Sequence, residues 1–149
     1  MPVTLRRRDR DRSAAARARR SAQRTVRDLI SRINAADPAG IVGCSSERLR
    51  FIDATGAVYS LGKRAWASYF ADFPNYHIQI DRIISRGSAV AIFGVASGSF
   101  KGRGSATPGA SWRLPAAWRA VVRSGKVVEW QVYLDLEPML RSAGSGRFS

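Results

Sequence analysis

The stretch from Trp112 to Asp135, WRLPAAWRAVVRSGKVVEWQVYLD, limits the possible folds more than any other part of the chain. Two runs rich in Val, Trp and Tyr flank Ser124-Gly125, a dipeptide suited to a tight hairpin turn. With that turn and an unbroken ladder, Val122 faces Val127, Ala120 faces Glu129, Trp118 faces Gln131, Ala116 faces Tyr133 and Leu114 faces Asp135. Side chains alternate along each strand, so one surface holds Leu114, Ala116, Trp118, Ala120, Val122 and Val127, with Glu129, Gln131, Tyr133 and Asp135 among them. An apolar surface with a few convergent polar groups is the make-up of a small-molecule pocket. A half-solvated sheet would carry the same residues, and a one-residue slip would exchange the two faces of a strand. The opposite surface holds Arg113, Arg119 and Arg123 with Val128, Trp130, Val132 and Leu134, and its Trp130, Val132 and Leu134 part reads as a face for a second copy of the chain.

At 149 residues and 45% hydrophobic composition, the chain has room for one domain with one core. The longest uncharged apolar run, near Ala89 to Ala96, is too short to cross a bilayer, and the charged N-terminus has no apolar segment of a secretory signal behind it. A single cysteine, Cys44, rules out an internal disulfide framework and fits a reducing, cytoplasmic setting. One histidine, His77, makes a zinc site of the His/Cys type an unsuitable reading, and no metal or cofactor is expected. The net charge of +14 is uneven, since residues 1–27 contain ten arginines against Asp9 and Asp11. Such an arm binds nucleic acid or acidic lipid without specificity, or is a solvated extension.

In chain order, residues 1–24 read as a basic, disordered arm, 25–140 as one folded domain and 141–149 as a flexible tail. Val26, Leu29, Ile30 and Ile33 recur at helical spacing, and Asp37-Pro38 caps and opens a second short helix. Leu49 to Asp53 alternates as a strand, with Asp53 on the side of Leu49 and Phe51, and Asp53-Ala-Thr-Gly56 is also a turn signal. Val58 to Leu61 is a short strand, and Ala65 to Asp72 a helix with Trp66, Tyr69 and Phe70 along one side. A second hairpin turns at Arg86-Gly87-Ser88, and Lys101 to Ala110 is a loop that could rim a pocket. Helices followed by long hairpins predict an α+β fold, with three N-terminal helices against one face of a curved antiparallel sheet.

Asn34-Ala-Ala-Asp37-Pro38, Phe73-Pro-Asn-Tyr76, Pro115-Ala-Ala-Trp118 and Gly125-Lys-Val-Val-Glu-Trp-Gln-Val-Tyr-Leu-Asp135, in this order of elements, resemble SnoaL-like proteins of the nuclear-transport-factor-2-like superfamily. The resemblance covers residues 25–140 and implies a cone-shaped α+β barrel. That superfamily includes ketosteroid isomerases, whose general base matches Asp53; their two oxyanion donors fall near Leu29 and near Ala117 or Trp118. It also includes polyketide cyclases, whose acid/base aspartate on the last strand is similar in position to Asp135.

The candidate catalytic set is therefore Asp135 and Asp53 as acids or bases, with Tyr133 donating to a developing oxyanion. Phe51, Trp66, Tyr69, Trp112, Trp118, Glu129 and Gln131 are the candidate substrate contacts. A carboxylate inside an apolar cone should have a raised pKa, which suits proton removal next to a carbonyl. The expected function is cofactor-free isomerisation, cyclisation, dehydration or hydration of an apolar carbonyl- or epoxide-bearing small molecule by a homodimer. The alternatives are a ligand-binding or dimerisation module and, with least support from the core, a nucleic-acid-associated protein acting through residues 1–24; no membrane partner is expected.

Overall fold

The computed structural model describes residues 3–101 and 109–143. The elements run α1 Val3–Asn34, α2 Pro38–Cys44, β1 Ser45–Ile52, β2 Val58–Leu61, α3 Lys63–Asp72, β3 His77–Arg86, β4 Ala89–Ser99, β5 Ser111–Arg123, β6 Lys126–Tyr133 and α4 Glu137–Ala143. The strands form one six-stranded sheet in the order β2-β1-β6-β5-β4-β3, curved and unclosed. The fold is α+β, as expected, with one feature added: β1 joins β6 in parallel, while the other neighbours are antiparallel. Most of the central loop expected at 101–110 lies outside the described residues, as do the last six residues of the expected tail.

α1 packs on the inner face of the sheet through the predicted stripe. Val26, Leu29, Ile30 and Ile33 are all buried, joined by Ala22 one turn earlier. The helix ends where Ala36 turns into the left-handed region at φ 49°, and Asp37 caps α2 by accepting from the Gly40 amide at 3.0 Å. Asn34 then pins α1 to the sheet's edge: its amide donates to the Ile78 carbonyl at 2.9 Å and its carbonyl accepts from the Ile78 amide at 2.8 Å. This satisfies two backbone groups of an edge strand that would otherwise stay unpaired. α1 does not begin at Thr25 but takes in the basic segment from Val3, whose side chains from Leu5 to Ser21 are exposed apart from Ala16, which is half-buried.

The ladders shift register at three places, between Ser45 and Arg50 where β1 meets β6 and at one bulge in each long hairpin. On β3 the ladder slips between Ile80 and Arg82, and the opposite residue is Gly94. A Cβ on Gly94 would lie 1.8 Å from the Gln79 carbonyl oxygen, so the bulge needs a residue without a side chain there.

The second bulge decides the final hairpin. Ser124 and Gly125 both have positive φ, 50° and 72°, as a two-residue hairpin turn requires, and Val122 pairs with Val127 as expected. Beyond that pair β6 carries one extra residue, Val128, so Val121 faces Glu129, Ala120 faces Trp130, Arg119 faces Gln131, Trp118 faces Val132 and Ala117 faces Tyr133. The unbroken ladder predicted from sequence is thus corrected for every pair after the first, and β6 shows its other face. Trp130, Val132 and Leu134 join Trp118 and Ala120 on the inner face, and the surface expected to meet a second copy is interior.

Gly94→Ala is expected to lower stability by roughly 1–3 kcal/mol or more, because the bulge opposite it must open to admit a methyl group. Urea unfolding of the variant beside the parent checks this.

Candidate active site

The inner sheet face, α3 and the C-terminal turn of α1 enclose a cavity of about 250 Å³. Its wall combines Ile33 of α1, Phe51 of β1, Leu61 of β2, Ala65, Trp66 and Tyr69 of α3, and Trp118, Trp130 and Val132 of the final hairpin. Tyr76, just before β3, completes one side; Leu134, Leu136 and Met139 close the end near α4, and Asp53 and Ala54 form the rim at the β1–β2 turn. The surface is almost wholly apolar. Its rings pack on one another: Trp118 stacks on Trp130 with centroids 6.5 Å apart, and Tyr69 meets Tyr76 edge-on at 5.4 Å. Each fully buried side chain of this size contributes about 1.5–3 kcal/mol to the fold, so the cavity wall is also much of the core.

Phe51, Asp53, Trp66, Tyr69 and Trp118 of the sequence-derived set come together here. Trp112 stands one layer behind, buried against Phe73 and Tyr76 at ring distances of 6.5 and 6.1 Å. The other four are placed elsewhere by the Val128 bulge. Glu129 lies on the outer face in an ion-pair cluster, accepting from Arg119 and standing 3.4 Å from Arg50. Gln131 shares that face, and Tyr133 is half exposed on it. Asp135 is exposed, and its Oδ1 accepts from the Glu137 amide at 3.0 Å, holding the first turn of α4. Of the expected catalytic residues only Asp53 borders the cavity.

Asp53 is held by its own turn. Its Oδ1 accepts from the Thr55 amide at 2.8 Å, the Thr55 hydroxyl at 2.6 Å and the Ala57 amide at 3.0 Å. Partial burial raises its pKa, but the bonds from Thr55, Ala57 and the Tyr59 hydroxyl favour the charged form and outweigh it, so the carboxyl titrates below its ordinary value of 3.8. This reverses the expected rise: the turn's donors, rather than the apolar cavity, set its charge. At neutral pH Asp53 is a carboxylate.

Two phenols also line the cavity, Tyr69 and Tyr76, and the sequence reading passed over Tyr76. Burial pushes the Tyr76 hydroxyl well above its ordinary pKa, tempered by the Trp118 indole N–H beside it, and Tyr69 rises through burial and then through Tyr76. Both phenols are therefore neutral at pH 7. Trp66 Nε1 and Trp118 Nε1 are buried without a hydrogen bond of ordinary geometry. Tyr76 sits in a connecting segment, where alternation carries no signal. Trp130 and Val132 enter the lining through the Val128 bulge, which sets them opposite Ala120 and Trp118 and leaves no local mark in the sequence. Among the described residues no group of three or more His, Cys, Asp or Glu is placed to hold a metal ion, and no helix is long and apolar enough to cross a membrane.

Residues 26–130, more than half of the chain, match the model of the SnoaL-like domain. The chain belongs to the SnoaL-like domain family. Solved structures agree on the fold. A candidate SnoaL-like polyketide cyclase from Jannaschia sp. CCS1 superposes with a TM-score of 0.70 at 17% identity, covering 86% of this chain and 94% of that one. A candidate polyketide cyclase from Xanthomonas campestris pv. campestris gives 0.67 at 20% identity, covering 85% and 99%. A hypothetical protein with a ketosteroid isomerase-like fold from Catenulispora acidiphila gives 0.63 at 22% identity over 80% and 92%, and was crystallised with trimethylamine. No curated protein matches the sequence. For this SnoaL-like chain, identities this low carry the fold and leave the chemistry to the site.

Asp53→Ala is expected to cost about 1–2 kcal/mol at neutral pH, because it leaves the turn amides without an acceptor. The folded carboxyl has a lowered pKa, so its contribution is present above the unfolded value and is lost as pH falls through the folded one. Chemical denaturation of Asp53→Ala and the parent should therefore differ most above pH 4 and converge below 3.8.

Proposed function

We propose that this SnoaL-like chain binds an apolar compound of one or two rings, bearing a carbonyl or epoxide oxygen, and acts on it by cofactor-free acid–base chemistry with Asp53 as the base. The observation that carries the reading is a nearly all-apolar cavity lined by two neutral phenols, Tyr69 and Tyr76, with the carboxylate of Asp53 at the rim. A cavity of about 150 Å³ holds benzene, so about 250 Å³ suits one or two rings. Oδ1 of Asp53 is occupied by the turn, which leaves Oδ2 to take a proton from carbon next to the substrate oxygen. Negative charge then develops on that oxygen. A neutral phenol of Tyr76 or Tyr69, dry and already in place, is the group to receive it. Returning the proton from Asp53 to another atom completes an isomerisation or cyclisation; in a dehydration the enolate's electron pair forms the new C=C bond as the C–O bond to a neighbouring hydroxyl breaks, and that hydroxyl takes the proton from Asp53 and leaves as water.

A second reading, binding without turnover, draws on the same turn. Three hydrogen bonds and a lowered pKa make Asp53 a weak base, and a module that only holds a ligand needs no stronger one.

Native mass spectrometry of the purified protein, beside a denatured sample, identifies any co-purifying ligand. With that ligand, Asp53→Asn keeps an acceptor for the turn and is expected to retain binding while losing turnover; turnover at the parent rate would remove Asp53 as the base. Tyr76→Phe is expected to weaken binding about 5- to 10-fold, the worth of one hydrogen bond in a dry site. Val132→Phe should abolish binding by filling the cavity, whereas Gln131→Phe, its neighbour on the outer face, should leave affinity unchanged. Calorimetric titration of the four variants reads all these outcomes.

A further inference from the structure

The N-terminal part of α1 takes no part in the cavity. Asn34 is bonded to Ile78 and Gln23 to Ser85, so α1 runs antiparallel to β3 and passes the end of the sheet near Arg86. Residues 3–22 continue the same helix for about 30 Å beyond that point.

The arginines on this extension are ordered by the helix. Arg6, Arg10, Arg17 and Arg24 follow one another at spacings of four, seven and seven residues, and so form one row along the helix. Arg8, Arg12 and Arg19, at four and seven, form a second row on the opposite flank. Between them lie Ala14, Ala15 and Ala18, exposed and small, with Arg7 and Asp11 toward the outer end. Among the described residues, none of the arginines from Arg6 to Arg24 makes an ion pair. The domain end at the helix's root adds further cations. Arg86 at the β3–β4 turn and the facing pair Arg123 and Lys126 at the β5–β6 turn are all exposed there.

We propose that this extension is a duplex-DNA-binding helix, seated in the major groove by its alanine face, with its two arginine rows on the phosphates of the two groove walls and Arg86, Arg123 and Lys126 against the adjoining backbone. A helix is about 10–12 Å across and the B-form major groove about 12 Å wide, so a face of methyl groups permits the approach that long side chains would prevent. Charge on two opposed flanks matches a groove with a phosphate wall on each side. A membrane surface calls for an apolar face opposite the charged one, and the only large apolar side chain from residue 5 to 21 is Leu5. The A-form major groove of duplex RNA is too narrow to admit the helix. Over the stretch from Ala14 to Ala18 the seated face carries only methyl groups, with Arg7 and Asp11 confined to its outer end, so binding along that stretch is to shape and phosphate.

Fluorescence anisotropy of the full chain with a labelled duplex DNA, at stepped salt concentrations, tests this. Binding is expected at low salt and should weaken steeply as salt rises, by about 0.9 in log Kd per log unit of salt for each phosphate contact. Arg8→Gln, Arg12→Gln and Arg19→Gln together should lower that slope by up to about 2.7. Ala15→Leu with Ala18→Leu keeps the net charge and a good helix former at each site, and should weaken DNA binding at least 10-fold by blocking the groove; circular dichroism confirms that the helix persists. Absence of binding at low salt overturns the proposal, and so does a slope unaffected by the triple substitution. Parent-like affinity in the double leucine variant, or equal affinity for duplex RNA, overturns the groove seat. Co-sedimentation with phosphatidylserine vesicles without binding to DNA assigns the helix to a membrane and overturns it as well.

Discussion

One extra residue in the last strand governs the inside of this protein. Val128 has no partner on β5, and everything after it on β6 is turned over relative to the ladder before it. The bulge is stabilised on both faces at once. Inside, Trp130 stacks on Trp118 and Val132 faces the same ring; outside, Glu129 reaches Arg119 and Arg50 instead of lying buried beside Trp118. Burying a carboxylate without a cation costs several kcal/mol, more than leaving one half-buried strand residue without a partner on β5. The cavity exists because that balance is settled in favour of the bulge.

The consequence for chemistry is a division between the two faces. The acids on and just after the final strand are spent on structure, Glu129 in an outer ion cluster and Asp135 at the start of α4, while the cavity receives rings and phenols. Among the described residues, the one carboxylate on its lining comes from a turn between two other strands, and that turn also fixes its charge. The fold is shared with its family, and on a fold of this kind the activity lies in the lining.

α1 links two surfaces that have nothing chemical in common. Its last three turns supply the core stripe and Ile33 of the cavity wall, and its first five turns hold, after Val3 and Leu5, only arginine, alanine and a few polar residues. The change occurs at Ala22, where the sheet ends. A helix without a stripe to bury has little reason to form alone, so here the buried half extends order into the charged half by propagation from a nucleus already formed.

The sequence alone determined the α+β class, the order of elements, the helix stripe, the turn at Ser124-Gly125 and five members of the cavity, Phe51, Asp53, Trp66, Tyr69 and Trp118. These follow from periodicity, turn chemistry and the likeness carried by short motifs, all of which act over neighbouring residues. Which face of β6 looks inward was decided only by the tertiary structure, because a bulge leaves no local mark and is chosen by what lies across the sheet. The same holds for Tyr76, brought to the cavity from a connection, and for the charge on Asp53, which depends on donors that the folded turn assembles. It holds too for the arginine segment, which read as an arm without structure and became a helix once α1 was anchored on the sheet.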